Sequence, residues 1–152
     1  MITKNKLDKS FGPVGTSAGI FMFIAGIVVT FYSFAGLILV FIGAFVGFTS
    51  TSTMIDNDNK KIKFSNNLFG FIKTGQWIDI KPEMKLGLKK SNRVYRAYSR
   101  SNRTLDIDSK DIRLILYGAD NKRIMPIKKF DSPGIAKVEL KKLGNQLGLS
   151  LI

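Results

Sequence analysis

Between Phe11 and Ile55 the chain carries no charged residue, although lysines and aspartates are frequent on both sides. A charged side chain at the centre of a bilayer costs roughly 2.5–3.5 kcal/mol even on the most permissive insertion scale. An uncharged, mostly apolar run of this length is the pattern that membrane insertion demands. It constrains location more tightly than any other feature constrains activity.

The strongly apolar part extends from about Val14 to Phe48. As one helix rising ~1.5 Å per residue it would be ~50 Å long, whereas the hydrocarbon core is ~30 Å thick. Two short spans fit better. Thr30, Tyr32 and Ser33 interrupt the aliphatic run, and Tyr32 between Phe31 and Phe34 has the composition of an interfacial aromatic belt. The expected helices cover 14–31 and 34–50, giving a transmembrane hairpin over residues 14–50. A cleaved signal peptide with Lys4, Lys6 and Lys9 as its basic region is the rival, but the apolar stretch exceeds an h-region of about 7–15 residues.

Small residues recur within the run. Ala18-Gly19 and Ala25-Gly26 repeat in the first helix, Gly36 and Gly43 in the second, and Gly43 and Gly47 form a GxxxG. Small side chains let helix backbones approach closely in lipid. Gly19, Gly26, Gly36, Gly43 and Gly47 are therefore the expected helix-packing residues. The pattern leaves open whether they join two helices of one chain or of two.

Lys4, Lys6 and Lys9 precede the run, Lys60, Lys61 and Lys63 follow it, and the connecting turn has no Lys or Arg. The positive-inside rule then puts both termini in the cytoplasm. Residues 1–13 read as a cytoplasmic arm, serving as a topology signal or a flexible segment, and 51–152 as a cytosolic domain.

That domain is strongly basic. The chain holds 24 Lys+Arg against 11 Asp+Glu, and all but three of the bases and one of the acids follow Ile55. About a hundred residues suffice for one small domain with its own core. With neither His nor Cys, disulfides, thiolate or imidazole metal sites, Cys nucleophiles and a Ser-His-Asp relay are excluded.

After the run the apolar period switches to two. Lys61–Phe64, Ile78/Ile80, Met84/Leu86/Leu88, Ile112/Leu114/Leu116 and Ile124–Ile127 alternate as half-buried antiparallel strands do. Asn57-Asp58-Asn59, Thr74-Gly75, Lys81-Pro82 and Gly118–Asn121 supply the turns. The expectation is a meander of about six or seven strands, with 91–104 either a strand pair or a loop. Trp77 reads as half-buried core. Asp131-Ser132-Pro133 is a helix start. Ala136, Leu140, Leu143 and Leu147, widened by Ile135, make the apolar stripe of one amphipathic helix, its C-terminal half weakened by Gly144 and Gly148.

The fold class expected is thus a membrane helical hairpin plus an α+β domain, an antiparallel sheet capped by a C-terminal helix. Thr53–Asp56 leading into Lys60–Phe64, then Phe69-Gly70, Gly75–Ile80, Ile124–Ile127 and the helix from Asp131 resemble the bacterial pleckstrin-homology-like domains over about residues 50–152. Such domains combine about seven strands in a barrel with one terminal helix and often follow a transmembrane hairpin. The resemblance implies the bacterial cytoplasmic (inner) membrane and brings no shared catalytic residues.

No P-loop or calcium-loop spacing is present. Asp106, Asp108 and Asp111 are the one acidic cluster of the domain. They read as a solvated turn rather than a metal or catalytic site, and an enzyme acting on a membrane substrate through them is the least favoured reading. No catalytic, cofactor or metal residues are expected. The candidate binding stretch is Lys85, Lys89, Lys90, Arg93, Tyr95, Arg96, Tyr98, Arg100 and Arg103, which contains no acid. A domain held beneath an anionic leaflet gains ~1 kcal/mol per base that reaches the surface, and Arg with Tyr is also a protein-interface composition. The expected role is a non-enzymatic membrane-anchored adaptor or accessory subunit of a membrane complex. The alternative is a module responsive to anionic lipid. Expected partners are the bilayer with its anionic headgroups, other membrane-protein subunits and a second copy of the chain, and not nucleic acid.

Overall fold

The computed structural model describes residues 2–98 and 103–152. Over these residues the chain is an α+β protein with three helices and mostly antiparallel sheets, curled as a half-barrel. A first strand, β1 (Ile2–Lys9), precedes the helices α1 (Gly12–Thr30) and α2 (Ala35–Phe48). Strands β2 (Ser50–Asp56), β3 (Lys61–Leu68), β4 (Ile72–Lys73) and β5 (Trp77–Asp79) complete the first sheet. The second sheet holds β6 (Lys85–Tyr98), β7 (Thr104–Tyr117) and β8 (Arg123–Phe130). After α3 (Pro133–Leu147) the short β9 (Ser150–Leu151) joins it, in the order β8-β7-β6-β9.

The uncharged run forms two antiparallel helices joined by a tight turn at 31–34. Their contact is the glycine seam. Gly19, Gly26, Gly36, Gly43 and Gly47 are all buried within one chain, whereas Ala18 is exposed. A Cβ on Gly19 would collide with the backbone of Val46 and Gly47, one on Gly43 with Phe23, and one on Gly26 with Leu39 and Val40. The side chains opposite the seam, including Phe21, Ile38 and Phe41, are large, apolar and exposed. α1 is long and apolar enough to cross a membrane, and α2 is shorter.

The N-terminal segment is a strand, not a flexible arm. β1 pairs antiparallel with β2, from Ile2↔Asp56 to Lys9↔Ser50. The backbone bond from Ser10 N–H to Thr49 C=O continues that ladder to the base of the helices. The hairpin is thus an insertion between two adjacent strands, and its two ends leave the same sheet edge to edge. Strand β1 was hidden in the sequence because its partner lies beyond the whole helical run.

The core lies between the two sheets and α3. Ile55 and Ile62 of the first sheet meet Leu86, Leu114, Leu116 and Ile127 of the second, and α3 closes the opening with Ala136, Leu143 and Leu147. Ile135 does not widen this stripe. It is exposed, as is Val138. Gly144 and Gly148 have structural uses. A Cβ on Gly144 would strike Leu151 of β9, and Gly148, at φ +70°, ends the helix in the left-handed conformation that glycine adopts most readily. Trp77 is more exposed than a core residue, because β5 is a three-residue strand paired on one side to β3.

Candidate functional site at the base of the helical hairpin

Strands β6 and β7 pair without a register shift from Lys85↔Tyr117 to Tyr98↔Thr104. Strand β8 accompanies β7 only from Ile112 onward, and β9 covers only Lys85 and Leu86. Residues 91–98 and 104–111 therefore form a two-stranded ribbon projecting past the sheet. This answers the open question at 91–104, which is the paired end of a long hairpin, with 99–102 outside the described residues.

Alternation along β6 divides the candidate basic stretch. Lys85, Lys89, Arg93 and Tyr95 share one face, and Lys90, Arg96 and Tyr98 share the other. Arg103 is exposed just before β7. Arg100 lies outside the described residues. A contiguous basic sequence on a strand thus becomes two half-density faces. On the second face Arg96 Nε and Nη2 donate to Asp106 at 2.7 and 2.9 Å. On the first, Lys85 Nζ donates to Asn121 Oδ1 at 2.9 Å. The ring of Tyr95 lies over Gly12, at the first residue of α1. Gly12 has φ +69°, and any Cβ there would fall 2.7 Å from that ring. The ribbon therefore touches the foot of the helical hairpin.

Below Tyr95 the first face builds an ionic cluster. Arg113 Nε and Nη2 donate to Asp111 at 2.8 and 2.7 Å, while Nη1 and Nη2 reach Asp8 at 2.8 and 3.1 Å. Arg93 Nη1 also donates to Asp8 at 3.0 Å, and Lys129 Nζ lies 3.8 Å from it. The Arg113 and Asp111 side chains are only 6% and 4% exposed. Asp8 is directed here by a bulge: the β1–β2 register shifts between Lys6 and Lys9. There Leu7 is buried, and the Asp8 N–H donates to Thr51 Oγ1. A bulge re-aims a side chain in this way.

The Arg113 guanidinium, by its hydrogen bonds above all, holds the Asp111 carboxyl below the usual carboxylate range against the opposing effect of burial. Its own pKa is raised by the same bonds. Arg96 likewise lowers Asp106, through side-chain hydrogen bonds first. Asp106 and Asp108 lie on the ribbon face opposite Asp111. Among the described residues no three acids, His or Cys gather where a metal could be held.

A cleft of about 260 Å³ opens beside this cluster, lined by Lys89, Ser91, Arg93, Arg113 and Arg123 with Ile115 and Pro126. Three cations (Arg93, Arg113, Lys129) meet two carboxylates (Asp8, Asp111) in the cluster. Lys89 and Arg123 add to that positive excess. Sequence reasoning found Lys89 and Arg93 but missed Asp8, Arg113 and Arg123. Their contacts span up to 105 positions, and no local pattern marks them.

Compared with protein-family models, with curated proteins and with solved structures, the chain matches none.

Proposed function

We propose that the chain is a non-enzymatic, membrane-anchored adaptor or accessory subunit. In this reading the α1–α2 hairpin sits in the bacterial cytoplasmic membrane, and the basic sheet domain presents a docking cleft at its cytosolic surface. The observation that carries it is the neck. The hairpin grows from the β1–β2 ladder, and Asp8 on that ladder is clamped by Arg93 and Arg113 of the second sheet. A domain so braced holds its cleft at a fixed height under the bilayer rather than swinging on a linker. The exposed apolar residues on the flanks of both helices are the kind of surface that marks a membrane or partner contact. The strand-then-helix order supports the resemblance to pleckstrin-homology-like domains, while β1 and β9 add strands to that pattern.

The cleft favours an anionic partner, because its cations outnumber the carboxylates near them. An acidic segment of a neighbouring membrane protein is the first reading. An anionic lipid headgroup is the second, favoured by the contact of Tyr95 with the foot of α1. The test uses the full chain, since β1 and β2 belong to the sheet. The protein is purified in mild detergent from its native membrane, beside the double variant Lys89→Glu, Arg123→Glu. A stoichiometric partner lost in the variant supports the adaptor. A protein that purifies alone, yet binds anionic vesicles better than neutral ones only when unmutated, supports the headgroup reading. Identical behaviour of both proteins in both assays removes the cleft from the account.

A further inference from the structure

The β3–β4 turn carries an uncharged apolar sequence, Leu68-Phe69-Gly70-Phe71-Ile72, on the outside of the protein. We propose that this turn is a third membrane-embedded element, an aromatic wedge lying among lipid acyl chains beside α2. The inference rests on the reading of the hairpin as membrane-inserted.

Phe69 adopts φ +54° and Gly70 φ +82°. The left-handed region is strained for a bulky residue and persists only where surrounding contacts enforce it. Here the contacts come from the hairpin. The Phe69 ring lies 5.0 Å from Phe41 and 5.4 Å from Phe45, and its N–H donates to Thr49 Oγ1. Phe41 lies about two helical turns back from the end of α2, or ~10 Å along the axis from the sheet. The turn therefore climbs the helix rather than resting on the domain.

The strained conformation sends Phe71 outward. Its ring is 6.3 Å from that of Phe69, and the residue is 74% exposed, with Ile72 also exposed. These side chains continue the apolar surface of α2 formed by Phe41. Lys73 follows at once, with an aliphatic stem and a charge able to reach the headgroups. An uncharged patch continuous with a membrane face, bounded by a lysine, fits acyl chains.

The test places one tryptophan at the wedge. Trp77 is the sole native tryptophan, so the background is Trp77→Phe. Phe71→Trp and, as a hairpin control, Phe21→Trp are reconstituted as full chains into vesicles with brominated acyl chains. The expected result is blue-shifted emission and strong bromine quenching at both positions. Quenching at position 21 without quenching at 71 overturns the wedge and leaves the hairpin reading intact. Absence of quenching at both overturns the hairpin reading and the wedge with it. Blue-shifted emission at 71 that bromine does not quench, and that reddens as protein is diluted in lipid, assigns the patch to a second copy and overturns the lipid proposal.

Discussion

The helical hairpin and the sheet domain are held together by opposite means. In the hairpin the contact face is made of glycines and the large apolar side chains point away from it. In the domain the large aliphatics point inward, with Leu86, Leu114, Leu116 and Ile127 fully buried, and lysines cover the outside. The domain is packed as water requires, by removing apolar area from solvent. The hairpin is packed by close backbone approach at its glycines, with its large apolar side chains left outside, the arrangement expected if lipid surrounds it as proposed. The two packing styles meet at the neck, where Ser10 bonds to Thr49; on the proposed reading this is also where lipid gives way to water.

The comparison breaks most severely at Gly43. A leucine there places its side chain on the Phe23 backbone, where neither helix can yield. Gly43→Leu is expected to lose hairpin packing by on the order of 3 kcal/mol or more, seen as loss of helicity on heating in detergent while the sheet signal persists. Loss of both signals in one step would instead show hairpin and domain melting as a single unit.

An effect of comparable size is expected at the brace. Arg113→Met leaves the Asp111 and Asp8 carboxylates without their main partner, a loss of about 3–5 kcal/mol for breaking a buried pair on one side. Its pH dependence has a definite sign. Arg113 depresses the folded-state pKa of Asp111, so the stabilisation is present above the usual carboxylate range. It is lost as pH falls through the lowered value, below about pH 4. Denaturant titrations from pH 7 to pH 3 should show a steeper acid limb in the native protein than in Arg113→Met. Equal limbs would contradict the assigned pairing.

Gly148→Ala is a smaller probe of the domain side. The Cβ meets open space, so the effect is the left-handed backbone alone, about 1–2 kcal/mol, measured as a fall in melting temperature. The smallest effect is expected from Asp106→Asn. That ion pair is exposed on the ribbon, with side chains 53% and 41% accessible. Its contribution should be near the limit of a thermal melt and fade further in high salt.

Features that repeat along the chain within about two helical turns could be read directly. The glycine spacing marked the seam, period-two alternation marked β3, β7 and β8, and Ser132-Pro133 marked the start of α3. Alternation also contained the division of the basic stretch into two faces, which treating it as one patch obscured. What could not be read was non-local. β1 is polar and lysine-rich, and only its pairing with β2 across the entire hairpin makes it a strand. Asp8 looked like a lone acid among topology-setting lysines until the bulge turned it toward Arg113. Ile135 is next to the stripe in sequence, but one residue is about 100° of helix, so it faces outward while Ala136 is buried.

On the proposed reading, a membrane-inserted hairpin emerges from the edge of a single braced domain. The chain has no cysteine, so single cysteines can report sidedness. Lys4→Cys in β1, Tyr32→Cys at the exposed hairpin tip and Lys137→Cys on α3 are each labelled with an impermeant maleimide in sealed, oriented vesicles. Labelling of positions 4 and 137 from one side and 32 from the other is the predicted result. Labelling of all three from one side, or of 4 and 137 from opposite sides, would contradict it.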